Sequence, residues 1–442
     1  MNAPQKAKDL APLPYRILDD EEKVRKAVAL IREKAAESRM FKLAMECCTK
    51  CGACINACHS YLGTEDPYNI PTKRADLVRS VYKQEVMPLS GVLGKVAGGI
   101  GISAELLEKW FTYFYQCNQC RRCALVCPFG IDTAEVTIMV RQILAELGMV
   151  PRFTVGIVKN MANTGNNMGI TKPALLDSCE FLEEEMYEET GIKIRIPVDE
   201  EADVMYVPSS ADFFVNTNTM IGVAKMYHAA GIKWTIPSEI IEAANFGLFF
   251  DEKVMKEHNR RLLDCAKKLK AKKIVQGECG HGWRAARMYT DGLNGPVDVE
   301  IRHIHEEAAY LIAKGIIKVD PERNGDIVYT YHDPCNLARA GDIIEEPRFI
   351  LRHVVKNFVE MTPNREENFC CGAGSGLLME EIMETRMKLG KVKAEQVKKT
   401  GADYVVAPCS ICKAQLPLVF EYYNLPVEMS GLMDLVGKAI IL

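Results

Sequence analysis

The chain has 442 residues, enough for two or three domains with cores of their own, and a formal charge of −4 with acidic and basic residues interspersed. With no basic excess to neutralise phosphates, nucleic acid is excluded as the main partner. Seventeen cysteines are too many for casual core filling and too few for a small disulfide scaffold, so the chain reads as a cytoplasmic, reduced protein whose thiolates serve metal.

The first twenty residues, MNAPQKAKDLAPLPYRILDD, are polar, punctuated by proline, and lack the apolar run of a secretory signal. A helix is expected from near Asp20 with Val24, Val28, Ile31 and Ala35 on one face, making residues 1–39 an N-terminal extension and helix. Cys48, Cys51, Cys54 and Cys58 then spell CxxCxxCxxxC, and Cys117, Cys120, Cys123 and Cys127 spell it again. This run holds cubane [4Fe-4S] clusters in bacterial ferredoxins, where three cysteines wrap one cluster and the fourth crosses to the other. By that rule one cubane takes Cys48, Cys51, Cys54 and Cys127, and the second takes Cys117, Cys120, Cys123 and Cys58. Pro128 keeps the ferredoxin pattern after Cys127, whereas His59 departs from it after Cys58 without removing a ligand. Zinc, the rival, takes paired CxxC knuckles separated by a longer loop. Cys47 reads as an unliganded core thiol. Arg121 and Arg122, inside the second motif, either raise the potential of its cluster or form a solvated docking face.

Between the motifs the chain is helix-like. The stretch VMPLSGVLGKVAGGIGISAELL (86–107) carries Pro88, Lys95 and five glycines and makes a poor membrane-spanning helix. It is expected to pack inside the domain, the rival reading being a face for a partner subunit or a membrane surface. The run WFTYFY (110–115) is expected to exclude water beside a cluster. Residues 40–150 thus form a helical two-cluster ferredoxin-like domain, and 151–200 a linker.

From residue 201 the runs DVMYV, IKWTI, KKIVQ, DIVYTY, DYVVA and PVEM alternate with amphipathic helices. That pattern implies a parallel sheet with helices on both faces and ligands at the carboxyl ends of the strands. The region repeats itself. YVPSS (206–210) aligns with YHDPC (331–335), and at the same offset Asn245, Phe246 and Gly247 fall on Cys370, Cys371 and Gly372; AKKIVQGECGHG (271–282) aligns with GADYVVAPCSIC (401–412). The second copy therefore delivers Cys335, Cys370, Cys371, Cys409 and Cys412 to one point, where the first has Ser210, Asn245, Phe246, Cys279 and Gly282. Cys370 and Cys371 are poorly placed to bond each other, since a disulfide wants its Cα atoms about 4.4–6.8 Å apart and a trans peptide holds neighbours at roughly 3.8 Å. Vicinal thiolates can instead take different irons, or bridge, in an opened cluster, with Gly372, Gly374 and Gly376 letting the backbone pass close by. GAGSG (372–376) lacks the strand, lysine and helix order of a phosphate-binding P-loop. The fold class is α+β multidomain: a helical two-cluster ferredoxin domain, then a duplicated α/β domain with parallel sheet, degenerate over 201–320 and intact over 321–442.

A cysteine, then CCG 35 residues on, then CxxC after a similar gap resembles the cysteine-rich CCG domain of heterodisulfide reductase catalytic subunits. With two ferredoxin motifs ahead of it, the chain is similar, over about residues 40–442, to the D-type catalytic subunit, including the DsrK-type and Tmc-type subunits of sulfate-reducer membrane redox complexes. The resemblance implies a noncubane [4Fe-4S] cluster on Cys335, Cys370, Cys371, Cys409 and Cys412, at which disulfides are reduced. It further implies a subunit held peripherally on the inner face of the cell membrane by a cytochrome b-type subunit and other subunits of a redox complex. Electrons would pass between a quinone-linked cytochrome and the noncubane cluster, where a disulfide or trisulfide of a small protein or thiol is reduced. Relatives with two intact units hold two such clusters; this sequence can hold one. Cys370 and Cys371 are the reactive-site thiols. His281, His332, Asp333 and Glu278 lie by the repeat on loops at the same sheet edge and are either proton donors or hydrogen-bonded structural residues. Cys279 either faces the substrate or is an inert buried thiol. The alternative function is a pure electron relay, like the iron–sulfur subunits serving glycerol-3-phosphate, glycolate or lactate dehydrogenases.

Overall fold

The computed structural model describes residues 18–442; residues 1–17 of the N-terminal extension lie outside the described part. The chain forms two compact units. The first comprises residues up to Gly156 together with Gly247–Glu252 and Phe369–Lys393, and the second Ile157–Phe246, Lys253–Asn368 and Ala394–Leu442.

The first unit is helical. Its opening helix, Asp20–Glu37, starts at Asp19, whose side chain accepts from the Glu22 amide while Glu22 reaches back to the cap. Three acidic residues in the first turn offset the positive end of the helix dipole. The buried face centres on Ala27 and Ile31, with Val24 and Ala35 at its margin. Helices Pro71–Glu85, Ala104–Phe114 and Thr133–Glu146 share a core that includes Val78, Trp110, Phe114, Val140 and Leu144. Trp110 donates its indole N–H to Leu77 O at 3.1 Å, so the aromatic run does supply dry core. The stretch 86–107 corrects the expectation of an inward-facing segment. Its end, Leu106 and Leu107, is buried, but Leu89, Val92 and Val96 are 72%, 78% and 85% exposed. The helix there lasts only from Ser90 to Leu93, and the Gly99 amide folds back onto Gly94 O. A chain that turns this tightly on glycines cannot hold one apolar face toward the core.

The second unit contains two four-stranded sheets. The first has β1 (Val204–Val207), β2 (Trp234–Thr235), β3 (Lys273–Gln276) and β4 (Glu300–His303); β5 (Lys318–Val319) follows it in the chain. The second has β6 (Val328–Tyr331), β7 (Asn357–Val359), β8 (Tyr404–Val406) and β9 (Glu428–Ser430), before the terminal β10 (Ile440–Ile441). The orders are β2-β1-β3-β4 and β7-β6-β8-β9, and every pairing in both sheets is parallel, as in Met205↔Ile274 and Thr330↔Val405. The same connectivity used twice is what the sequence repeat describes. β5 and β10 pair antiparallel. One core runs through both sheets, taking in Tyr206 and Val275 from one and Tyr329, Tyr331 and Val406 from the other. Strands buried on both faces in this way read as continuous apolar runs; β4 and β7 are only partly buried and lack that signature. Residues 151–200 are more than a linker: they fold into helices Arg152–Thr164 and Lys172–Thr190, and Leu175, Cys179, Leu182 and Met186 enter the core of the second unit.

Candidate iron–sulfur and cysteine-rich sites

In the first unit the two cysteine motifs line two cavities. One, with about 520 Å³ of empty space partly open to solvent, is bordered by Cys48, Cys51, Cys54, Cys123 and Cys127. The other, about 330 Å³, is bordered by Cys58, Cys117, Cys120 and Cys123. Cys127 of the second motif thus stands with the first three cysteines, and Cys58 of the first stands with the second set. Left-handed backbone at Lys50, Gln119 and Arg121 bends the loops around the cavities, and backbone amides of Gln119 and Ile131 point at the sulfurs of Cys117 and Cys127, 3.4 Å away in each case. Burial pushes the Cys58 and Cys123 thiols up; the neighbouring sulfurs, and for Cys123 first Asp132, push the same way, while Arg74 pulls Cys58 down. Thiolates so close to one another need a cation among them, which an iron cluster supplies.

Each cavity also borders a buried arginine, Arg79 at the first and Arg74 at the second, whose Nε has no hydrogen-bond partner among the described residues. A buried N–H left unpaired costs about 1–3 kcal/mol, and an anionic cluster with sulfur acceptors offsets that cost. On this test the donor sets fit two thiolate-held clusters. Arg121 and Arg122 serve neither purely as potential-raising charges nor as a bare docking face. Arg121 is paired with Asp132 at 2.6 Å, while Arg122 donates to Ala57 O at 3.1 Å and lies 3.7 Å over the Phe369 ring. Cys47 is exposed, not a core thiol.

The vicinal pair belongs to this same unit. Cys370 and Cys371 are 1% and 2% exposed, and the chain behind them turns at Gly372, which has φ +100° and where a Cβ would lie 2.7 Å from Gly390 N. Arg386 is close enough to Cys371 for a thiolate there to favour its charge against the cost of burial.

In the second unit Cys279, Cys335, Cys409 and Cys412 sit at the carboxyl ends of parallel strands, whereas Cys179 and Cys265 lie within helices. Cys335 opens helix Cys335–Gly341 after β6, Cys409 caps helix Ser410–Tyr422 after β8, Cys412 lies in its first turn, and Cys279 caps helix Gly280–Asn294 after β3. Helix N-termini favour thiolates. Sulfur hydrogen bonds from Cys279 and Cys412, then one from His281, hold Cys409 well below its ordinary range despite burial, and Cys279 is raised in turn. Donor atoms of Cys279, His281 and Cys409 all lie within 4.8 Å of one another. His332 Nε2 stands 3.3 Å from Cys412 Sγ. The structure therefore brings Cys279, His281 and His332 to the sulfurs of Cys409 and Cys412.

It places Glu278 and Asp333 otherwise. Arg348 grips both Asp333 oxygens at 2.8 and 2.9 Å, and the Arg365 amide adds a third bond. Burial pushes Glu278 up, but Lys413 and His305 outweigh it and keep the carboxylate below its usual range, and the amides of Leu432 and Met433 also bind it. Both acids are held in buried ion pairs, Asp333 by Arg348 and Glu278 by Lys413, and the structure gives them a structural role rather than that of proton donors. Replacing Asp333 with Asn should destabilise the protein by about 1–3 kcal/mol, since the buried Arg348 loses one charged partner while Glu360 still pairs with it at 2.7 Å; a thermal or denaturant melt measures this.

The degenerate half is filled in. Ser210 donates to Glu242 at 2.7 Å, whose carboxyl burial pushes up to about 7, and Asn245 donates to Asn259 and to Met255 O. A Cβ on Gly282, the counterpart of Cys412, would stand 1.5 Å from Ala243 O. There is no room for a thiol there. Gly282→Ala should cost at least about 1–3 kcal/mol by overpacking, read as a lowered melting midpoint with the cluster absorbance of the folded fraction unchanged.

Three functional candidates escaped the sequence reading: Arg74, Asn118 and Arg141. The signal for Arg141 is a lone arginine inside the apolar helix TAEVTIMVRQILAE.

A helical unit with two thiolate-lined cavities, followed by a duplicated sheet domain presenting cysteines at its strand ends, defines an iron–sulfur, electron-transferring oxidoreductase subunit of the heterodisulfide-reductase type. Residues 44–131 match the family model of the 4Fe-4S dicluster domain and residues 329–417 that of the CCG cysteine-rich domain. The chain is 35% identical to the Hdr-like menaquinol oxidoreductase iron-sulfur subunit of Archaeoglobus profundus, over 93% of this chain and 82% of that one. It is 34% identical to the corresponding iron-sulfur subunit 2 of Archaeoglobus fulgidus over the same shares. The D-type subunit of the dihydromethanophenazine:CoB–CoM heterodisulfide reductase of Methanosarcina barkeri is 25% identical, over 90% of this chain and 94% of that one. The chain belongs to the family of Hdr-like menaquinol oxidoreductase iron–sulfur subunits.

Proposed function

We propose that the chain is the catalytic iron–sulfur subunit of a membrane-bound respiratory complex, moving electrons between a quinone-linked cytochrome and a site where a disulfide or trisulfide is reduced. Cys48, Cys51, Cys54 and Cys127 hold one cubane, Cys117, Cys120, Cys123 and Cys58 hold the second, and Cys335, Cys370, Cys371, Cys409 and Cys412 hold a noncubane [4Fe-4S] cluster. The clusters supply one-electron carriers and, at the five-cysteine site, iron for a substrate sulfur. The observation that carries the reading is the group of buried donors at the ends of β3 and β8, Cys279, His281 and Cys409 within 4.8 Å of one another, with Cys409 and Cys412 inside the stretch that matches the cysteine-rich family.

The chain's own residues have separable tasks. Helix N-termini orient Cys335 and Cys409, and burial keeps water from the sulfurs. His281 and His332 stand where a proton can be held beside Cys409 and Cys412 and passed to a sulfur released from the substrate. Cys279 donates toward Cys409 and steadies its charge. Among the described residues no helix is long and apolar enough to cross a membrane, so the proposed membrane attachment runs through a partner. The exposed side chains of Leu89, Val92, Val96 and Ile100 are the surface proposed to meet it.

The test is purification of the native complex followed by EPR of the oxidised protein with a thiol substrate. A membrane cytochrome should co-purify, and a substrate-dependent signal should appear that is missing from Cys370→Ser. A flavin dehydrogenase as partner, with no substrate effect on the spectrum, would establish the relay function instead.

A further inference from the structure

Arg141 is fully buried and donates only to carbonyl oxygens: Phe114 at 2.9 and 3.1 Å, Cys117 at 2.9 Å, Phe249 at 2.9 Å and Ser375 at 2.7 Å. Its guanidinium carbon lies 4.3 Å from the centre of the Tyr115 ring. Among the described residues no carboxylate pairs with it. A buried charge without a counter-ion is costly, and here the carbonyl oxygens and the face of the Tyr115 ring are what the guanidinium has to offset that cost. Arg74, also fully buried, bonds only to Asn69 among the described residues. Two guanidiniums without carboxylates thus attend a single cysteine motif.

A second tie runs beside the first. Asn118, one residue past Cys117, donates to Gly374 O at 3.2 Å, and its amide oxygen meets His59 Nε2 at 2.7 Å. His59 Nδ1 lies 3.8 Å from Cys120 Sγ. The departure from the ferredoxin pattern at His59 therefore orients the amide that holds the CCG loop.

We propose that Arg141 and Asn118 are positioning residues that fasten the glycine loop behind Cys370 and Cys371 to the second ferredoxin motif, and that Arg141 supplies buried positive charge balancing the thiolates of that motif. The inference rests on the proposed cluster assignment. A cation fixed there favours the added electron, so it raises the potential of the cluster held by Cys117, Cys120, Cys123 and Cys58 over what those ligands alone would give. Bonds from a charged donor to a loop carbonyl oppose opening of the loop, and each bond lost should speed opening by roughly tenfold or more.

The experiment uses the full, cluster-loaded chain and two readouts, EPR potentiometry and hydrogen exchange of residues 370–376. Arg141→Met should lower the potential of the second-motif cluster, leave that of the first unchanged, and speed exchange in the loop. Arg141→Lys, which keeps the charge but not the forked donors, should retain the potential and still speed exchange; Asn118→Ala should do the same. The proposal is overturned by an unshifted second-cluster potential in Arg141→Met, or by unchanged loop exchange in Arg141→Lys and Asn118→Ala. Should Arg141→Met fail to fold, the other two variants decide it through loop exchange. Absence of a second cubane signal from the unaltered protein takes down the assignment itself, a result that precedes and differs from any variant effect.

Discussion

Serine at Cys58 is expected to empty the second cluster site and leave the first filled, although Cys58 belongs in sequence to the first motif. Its neighbours explain this: Cys58 borders the cavity of Cys117, Cys120 and Cys123, and the sulfurs felt by its own are those of Cys120 and Cys117. The proposed crossing fits the local backbone, because helix His59–Thr64 starts directly after Cys58. Iron analysis should show a loss of about four irons per chain. EPR should retain the cubane signal that Cys127→Ser abolishes. If Cys58→Ser instead removed the signal lost in Cys51→Ser, the crossed assignment would be wrong.

Replacing Cys371 with serine should remove a third set of about four irons and abolish disulfide reduction, while dye-linked reduction of both cubanes continues. The variant is expected to fold, because the neighbouring turn depends on Gly372 against Gly390 and not on the sulfur. Cys279→Ser is the matched control. Its sulfur donates to Cys409, yet the proposed ligand set does not include it, so iron content should stay whole while the spectrum of the CCG-site cluster shifts. Equal iron loss in both variants would add Cys279 to the ligands. A Cys371→Ser protein with full iron and full activity would end the five-thiolate proposal.

Much of the architecture is legible in the chain because the relevant signals are local. The strands buried on both faces, β1, β3, β6 and β8, leave apolar runs, and the repeat offset between 206–210 and 331–335 anticipates two sheets of the same order. β4 and β7 went unread because half-exposed EIRH and NFV carry no such run. The apolar stretch at 86–107 misled for a related reason. Composition records that Leu89, Val92 and Val96 are apolar, but glycine turns decide which way they point. Asp333 and Glu278 look like free acids at a sheet edge until Arg348 and Lys413, 15 and 135 residues further along the chain, are found against them.

By itself the sequence determined that the chain is an iron–sulfur protein: two CxxCxxCxxxC motifs, a CCG pair and a CxxC are the patterns of the dicluster and cysteine-rich families it matches. It also determined that one half of the repeat lacks four of the five thiols and keeps only Cys279. Only the tertiary structure decided that the CCG segment packs within the same unit as the ferredoxin motifs, that Gly282 has no space for a thiol, and that Arg74 and Arg141 are buried with no carboxylate partner among the described residues. Ligand spacing is a property of a few consecutive residues, whereas burial, counter-charge and the room around a side chain are set by residues far apart in sequence that meet only when the chain is folded.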